Sequence, residues 1–457
     1  MIRRAWHRTP FHARSLVLRL LIALPAFVLI SQPWVASMPL LREKEDAVMD
    51  LLMSAFQSPQ PSPTATPLAF IDIDEQTHRL WDEPVQVPRD KLLQLIQFAT
   101  SAQPKLVYVD VELSKRSCNP QADDALMQFL SHYQDQNLPP LIMPRGIVPP
   151  LDEEHAANFR RSFLDDAFAI ESTRAIRASA LFNVDDNDGV LRRWRLFEQV
   201  QPGSSGVLPS VQLLALSILR SGGSSPQSIL KSIQDALASG TDPDALMGLD
   251  LDEEDALSQR IVYTIGTDLP AWRSIPTIVR TDGVPVPFFE RFSASCVTDS
   301  SRNPQCFRAY PSGKIEKGQE NWLKDRIVVI GASDADSRDL FSTPLGTMPG
   351  AMVILNAIAT LDHHGVLVRP PLVFGLFVES LIVILGYALH ARWAPNSSSF
   401  LFMVGVSIIL MPLCYIFFKY GMWVALAIPL FLSSISDGVE EIFERIKKHP
   451  RFSTKSH

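Results

Sequence analysis

Two short stretches constrain the fold most. Pro67–Gln76 reads PLAFIDIDEQ and Leu106–Lys115 reads LVYVDVELSK. Each is a continuous apolar run that ends in acid, the pattern of a strand buried on both faces that delivers carboxylates at its carboxyl end. Between them, RDKLLQLIQFATSAQ (Arg89–Gln103) repeats apolar residues at helical spacing. The alternation then continues with a helix at Gln121–Tyr133 and a strand at PPLIMPR (Pro139–Arg145). A strand at Asp325–Ser333 and a helix over Pro349–Gly365 close the unit. Strand–helix–strand alternation predicts a mostly parallel sheet flanked by helices. Strand-like pieces also fall within Ala175–Val200, followed by a helix at Leu208–Arg220. Residues 221–260 are polar and acidic and read as an insertion.

Composition adds a second part. The chain has 457 residues, of which 20% are charged, yet its mean hydropathy is slightly positive. That balance suggests membrane spans beside a soluble domain. Five arginines (Arg3, Arg4, Arg8, Arg14 and Arg19) precede an apolar run from Leu20 to Val35. Three further runs lie at Pro371–His390, Phe400–Phe418 and Gly421–Ser436. With a span taken as about 20 apolar residues, the chain is expected to place a cytoplasmic N-terminus at 1–19 and spans at 20–37, 371–391, 400–418 and 421–437. A cytoplasmic tail would follow at 438–457. A cleaved signal peptide is the alternative for the first run. Arg392 and the basic tail Glu444–Lys455 orient the chain with both termini inside. The expected fold class is therefore an α/β periplasmic domain over 38–369 plus four transmembrane helices, in the bacterial inner membrane with the lipid bilayer as its medium. Arg42–Phe56 reads as an amphipathic helix, and Gln57–Pro67 as a Pro-rich linker.

In open α/β sheets ligands bind outside the carboxyl ends of the strands. Asp74 and Asp110 sit near such ends, and adjacent strands would bring them together. Arg89 is a further candidate for the same pocket. The alternative is that the acids cap helices, pair with Arg89 or satisfy turn backbone. In DDNDG (Asp185–Gly189) the register rejects a calcium loop and favours a tight hairpin with Asp188-Gly189 as a type I′ signal. Arg192 follows and meets either an anion or the acidic loops. Gly331–Gly350 is a long strand-to-helix loop without a phosphate-loop motif. It carries Asp339 and Thr343, which are candidates for binding or for packing. Glu379 is a candidate contact inside an apolar run. Cys296 and Cys306 either close a loop as a disulfide or remain free thiols. No G-x-S-x-G, H-E-x-x-H or C-x-x-C occurs, so no catalytic residue, metal or cofactor is expected. A net charge of −7 and the lack of a basic stripe point away from nucleic acid.

Taken together, these pieces resemble the CHASE2 family of bacterial extracytoplasmic sensor domains. The resemblance rests on FIDIDEQ, VPRDKLLQLI, KLVYVDVELS, NVDDNDGVLRR, LPSVQLLAL and the closing run from Ile327 to Ile358. It covers about Met38 to Ile435. LWDEPVQVPRD keeps Trp81, Pro88 and Arg89 of a usually Trp-Pro-rich segment but differs between them. Family members usually continue into a cytoplasmic output enzyme, whereas this chain ends shortly after its last apolar run. The resemblance thus implies a non-enzymatic sensor of a small ligand or of a partner, which signals through a separate protein. A structural or assembly subunit of an envelope complex is the alternative, and a homo-oligomer is compatible with either.

Overall fold

The computed structural model describes residues 11–30, 39–56, 65–148, 157–168, 174–201, 206–221, 224–238, 259–267, 275–299, 323–365 and 371–392, apart from positions 136 and 281, with positions 32 and 416 besides. The chain divides into two units, residues 57–366 and residues 1–56 with 367–457.

The first unit is built on one six-stranded sheet. Its strands are β1 (Leu68–Ile73), β2 (Leu106–Asp110), β3 (Leu141–Pro144), β4 (Ala175–Ala178), β5 (Phe289–Ser293) and β6 (Ile327–Ala332). They lie in the order β5-β1-β6-β2-β3-β4, and every neighbouring pair is parallel. The helices flanking it include α1 (Glu75–Leu80), α2 (Arg89–Ser101), α3 (Pro120–Ser131), α4 (Val211–Arg220), α5 (Pro226–Ala238) and α6 (Gly350–His364).

Alternation along the strands feeds two cores. Ile71, Val109 and Ile330 face Leu92, Leu95 and Ile96 of α2 and Leu126 and Leu130 of α3. Phe70, Tyr108 and Val329 alternate to the opposite face, where α6 packs on β6 and β1. Gly331 permits that approach, since a Cβ there would lie 2.7 Å from the Cβ of Ala351. Inside the same layer Asn356 is buried and satisfied. Its Oδ1 accepts from the N–H groups of Thr264 and Ile265, and its Nδ2 donates to the Ile265 carbonyl, all at 2.9 Å.

Local chemistry explains the helix starts. Asn119 accepts from the Ala122 N–H at 3.2 Å ahead of Pro120, a residue suited to the first helical position. Ser210 caps α4 by accepting from the Leu213 N–H at 3.2 Å. The segment read as an insertion contributes α5, with Ile229 and Ile233 buried. It also contributes Gln259–Arg260, which pair antiparallel with Arg193 and Trp194. Strand β5 carries no clear sequence signal: FERFS lacks the continuous apolar run of its neighbours, as expected at a sheet edge.

In the second unit the described helices are Phe11–Ile30, Pro39–Phe56 and Leu372–Arg392. The first and third pack together, and Gly375 makes room for the Phe27 ring, which a Cβ would meet at 2.6 Å. Glu379 is fully buried with neither carboxylate oxygen hydrogen-bonded.

The expectation of four transmembrane helices is corrected here. Among the described residues no helix is long and apolar enough to cross a membrane. The physical reason is charge placement. Helix Phe11–Ile30 carries Arg14 and Arg19, so its charge-free apolar run is only Leu20–Ile30. Helix Leu372–Arg392 is interrupted by Glu379-Ser380 and ends in His390 and Arg392. Charges thus fall inside both helices, and an ionised side chain within a bilayer core is costly. The runs at 400–418 and 421–437 lie outside the described residues.

Candidate functional site

A cavity of about 700 Å³ opens beyond the carboxyl ends of β2, β3, β4 and β6. Its volume falls in the range of small-molecule sites. Asp110–Lys115 wall it after β2, Pro144–Gly146 after β3, and Ala178–Ala180 after β4. Ala332 and Asp336–Asp339 follow β6, and Val85–Val87 with Arg89 close it from the start of α2. This is the place where a parallel sheet presents loop residues from several strands to one ligand.

Asp110 and Asp339 form its acidic part. Asp110 stands level with Gly331 on β6, which in turn stands level with Asp72 on β1. The Tyr108 hydroxyl, two residues back on the same face, donates to Asp110 Oδ1 at 3.2 Å. Asp339 comes from the loop after β6 and lies over the first residue of α6, where the Gly350 N–H donates to its main-chain carbonyl at 2.9 Å. Burial pushes the Asp110 carboxyl up to about 6, against the Tyr108 hydrogen bond. Burial, then the Asp110 charge, pushes Asp339 up to about 8, and the Gly350 N–H acts in the opposite sense. Two such carboxyls titrate as a pair rather than one by one.

The basic part is Arg145 and Arg177. Both guanidinium groups converge on Asp165. Arg145 lies over the Phe159 ring at 4.3 Å and Arg177 over Phe168 at 5.5 Å. Burial, then the nearby Arg145 charge, lowers Arg177 to about 10, which leaves it cationic at neutral pH. Two cations against one carboxylate leave this end net positive.

The remaining predicted site residues are placed as follows. Arg89 lines the cavity but both its Nη atoms are committed to main-chain carbonyls, two of them in the loop after β2. Its Nη1 donates to the Val87 carbonyl at 3.0 Å and its Nη2 to those of Glu112 and Lys115 at 3.3 Å each. Its Nε lies 3.7 Å from the buried Asp123. Asp74 is not beside Asp110, because β6 lies between β1 and β2. It caps α1 instead, accepting from the Thr77 N–H at 2.7 Å and the Thr77 hydroxyl at 2.6 Å.

Asp188 and Arg192 pair with each other at 2.6 Å away from the cavity lining. Their hairpin is not type I′. Only Gly189 is left-handed, at φ 70°, and its N–H reaches the Asp185 carbonyl, giving a longer loop. Thr343 lies in a second hairpin, where its hydroxyl donates to the Gly346 carbonyl at 2.6 Å. Cys296 is disulfide-bonded, and Cys306 lies outside the described residues. Among the described residues no cluster of three or more metal-type ligands forms.

Tyr108, Arg145, Asp165 and Arg177 went unread in the sequence. A signal for three of them was present. Tyr108 shares the Asp110 face by strand periodicity, and the two arginines stand at or next to the carboxyl ends of LIMPR and AIRA.

The family model for the CHASE2 domain matches residues 21–391. The chain belongs to the CHASE2 domain family. Neither a curated protein nor a solved structure matches it closely enough to compare. CHASE2 domains are sensory domains of extracellular type. A cavity at the carboxyl edge of the CHASE2 sheet, lined by both charge signs, is consistent with a sensory role.

Proposed function

We propose that this CHASE2 chain is an extracytoplasmic sensor that binds a small soluble molecule in the cavity above β2, β3, β4 and β6, and that the occupied state is read by a separate protein partner. The observation that carries the reading is the cavity itself. It combines a volume of about 700 Å³ with a charged lining supplied by loops from four strands, which a ligand can draw together. A binding task rather than a catalytic one fits a lining whose charged groups are acids, arginines and Lys115, without a nucleophile–base pair. The disulfide at Cys296 supports a site of action in an oxidising compartment.

The test is a ligand screen on the purified full chain by thermal shift. A binding compound raises the unfolding midpoint, and Arg177→Gln removes the shift while the apo protein still melts cooperatively. If no compound in a broad metabolite library stabilises the chain, the sensor reading fails. Location is tested separately at Cys118, an exposed free thiol. A charged, membrane-impermeant maleimide labels it in intact spheroplasts if the unit faces outward, and only after lysis if it does not. For the partner, crosslinking in cells followed by purification recovers a second protein. Recovery of the lone chain in every condition counts against it.

A further inference from the structure

Strand alternation sorts the charges of the cavity by face. Arg177 is level with Met143, which belongs to the core under α2 and α3. Arg145 lies two positions beyond Met143 and stays in the ladder, its N–H donating to the Ala178 carbonyl at 2.7 Å. It therefore takes the same face. Asp110 shares the face of Tyr108 instead, the side covered by α6, and Asp339 lies over the start of that helix. The remaining charges of the lining are answered or screened. Arg89 lies beside Asp123, and Arg177 donates to Asp165. Lys115 and Arg338 are exposed, as are Glu112 and Asp336, so solvent and salt screen all four.

Arg145 and Arg160 remain, side by side. The Arg160 N–H donates to the Gly146 carbonyl at 2.9 Å. A Cβ on Gly146 would lie 3.2 Å from Cβ and 3.4 Å from Cδ of Arg160. The bare backbone at Gly146 thus lets the Arg160 side chain lie across it, next to Arg145. Half of that side chain is exposed, and its ion pair with Glu112, at 3.9 Å, is too long for a hydrogen bond. Arg145 lies over the Phe159 ring at 4.3 Å and commits its Nη1 to Asp165. Its Nε and Nη2, the side-on fork of a guanidinium, donate to nothing among the described residues. Arg145 keeps a fifth of its side chain exposed and lines the cavity. Two parallel donors held in one orientation match the two oxygens of a carboxylate. Val87, Val111 and Leu113 line the cavity too and join the core under α2 and α3.

We propose that the cavity takes a small monocarboxylate with an apolar body, its carboxylate on the Nε–Nη2 fork of Arg145 beside Arg160 and its body against Val87, Val111 and Leu113. This assignment rests on the sensor reading above and narrows it to one chemistry. A neutral ligand leaves the fork without a charged acceptor, and a cation meets two arginines. A dianion such as a phosphate brings its second charge against Asp165 and Glu112, which already stand beside the same arginines. A single negative charge is answered without that conflict.

The experiment is calorimetric titration of the full chain with monocarboxylates from acetate to octanoate, with benzoate and phenylacetate, with the primary amide of each, and with inorganic phosphate. At least one carboxylate is expected to bind, more tightly than acetate and than phosphate. Its amide is expected to bind roughly tenfold or more weaker, the effect of losing one charge-assisted contact. Arg145→Lys keeps the charge but removes the fork, and is expected to weaken the acid by a similar factor. Arg160→Gln, at an exposed side chain, is the second variant and is expected to weaken it several-fold. Circular dichroism confirms that each protein is folded. The proposal is overturned if no carboxylate binds, if an amide binds as well as its acid, or if both variants bind like the wild type. Binding of a different class of metabolite in the same cavity, lost in Arg177→Gln, removes the carboxylate and leaves the sensor reading standing. Binding of nothing at all removes both.

Discussion

Both carboxylate oxygens of Asp339 lie 2.5 Å from the point where a Cβ on Gly350 would stand. The absent side chain is what lets this acid fold over the start of α6 and reach the cavity. Gly350→Ala is therefore expected to displace Asp339 and to destabilise the unit by about 1–3 kcal/mol, the usual cost of overpacking a filled site. Chemical denaturation measures it. An unchanged midpoint, with ligand binding intact, would show that Asp339 moves aside freely.

The carboxyl pair sets a pH dependence whose sign is unusual for acids. Both groups hold their protons more tightly in the fold than at the ordinary value of 3.8, Asp110 to about 6 and Asp339 to about 8. Between these limits the native state binds more protons than the unfolded one, so stability falls as pH rises. Their contribution is complete below 3.8 and is lost as pH passes through about 6 and then about 8. Asp110→Asn and Asp339→Asn should each flatten the pH profile of the unfolding free energy over that window. A wild-type profile that rises across the same interval, with both variants parallel to it, would contradict the paired arrangement.

Arg89 holds three carbonyl oxygens and lies beside the buried Asp123. Arg89→Met removes one member of a buried pair, which costs about 3–5 kcal/mol. Hydrogen exchange should then speed up along residues 112–117, because the Glu112 and Lys115 carbonyls lose their shared donor. A loss below about 1 kcal/mol, the level of a surface pair, would argue that another group takes over the loop.

Arg291 covers a buried acid at the other side of the sheet. Its Nε donates to Asp72 Oδ2 at 2.7 Å. Burial already pushes the Asp72 carboxyl up to about 6 against the pull of Arg291. Arg291→Ala is expected to cost about 1–3 kcal/mol for the group left unsatisfied. The deficit should be larger at about pH 8 than at about pH 5, because the uncompensated acid then holds its proton to higher pH than in the wild type. Equal deficits at both values would separate Asp72 from the effect.

Much of the sheet was legible in single stretches. LVYV and IVVI are apolar throughout, and FIDI is apolar but for Asp72, because both faces of a central parallel strand are covered. Asn119-Pro120 and Ser210 mark helix starts because they answer orphaned N–H groups locally. The apolar runs near Leu20 and Pro371 misled for a related reason. Composition registers the amount of apolar surface, whereas a span also has to keep charge out of the bilayer core, and Arg14, Arg19 and Glu379 lie inside these helices. Asp188 was legible as a turn residue, but the sequence did not show that it and Thr343 fall outside the cavity lining.

Sequence alone determined the strand and helix periods, the acids at the ends of β1 and β2 and the CHASE2 resemblance, since each depends on residues within a few positions of one another. Tertiary structure alone decided which acids meet. Strand β6, from far along the chain, inserts between β1 and β2, so Asp74 is left to cap α1 and Asp110 finds Asp339 instead. Periodicity fixes which face of a strand a side chain occupies. Strand order depends on how whole helices such as α6 cover the sheet, and that is settled only when the long connections close and both faces are buried together.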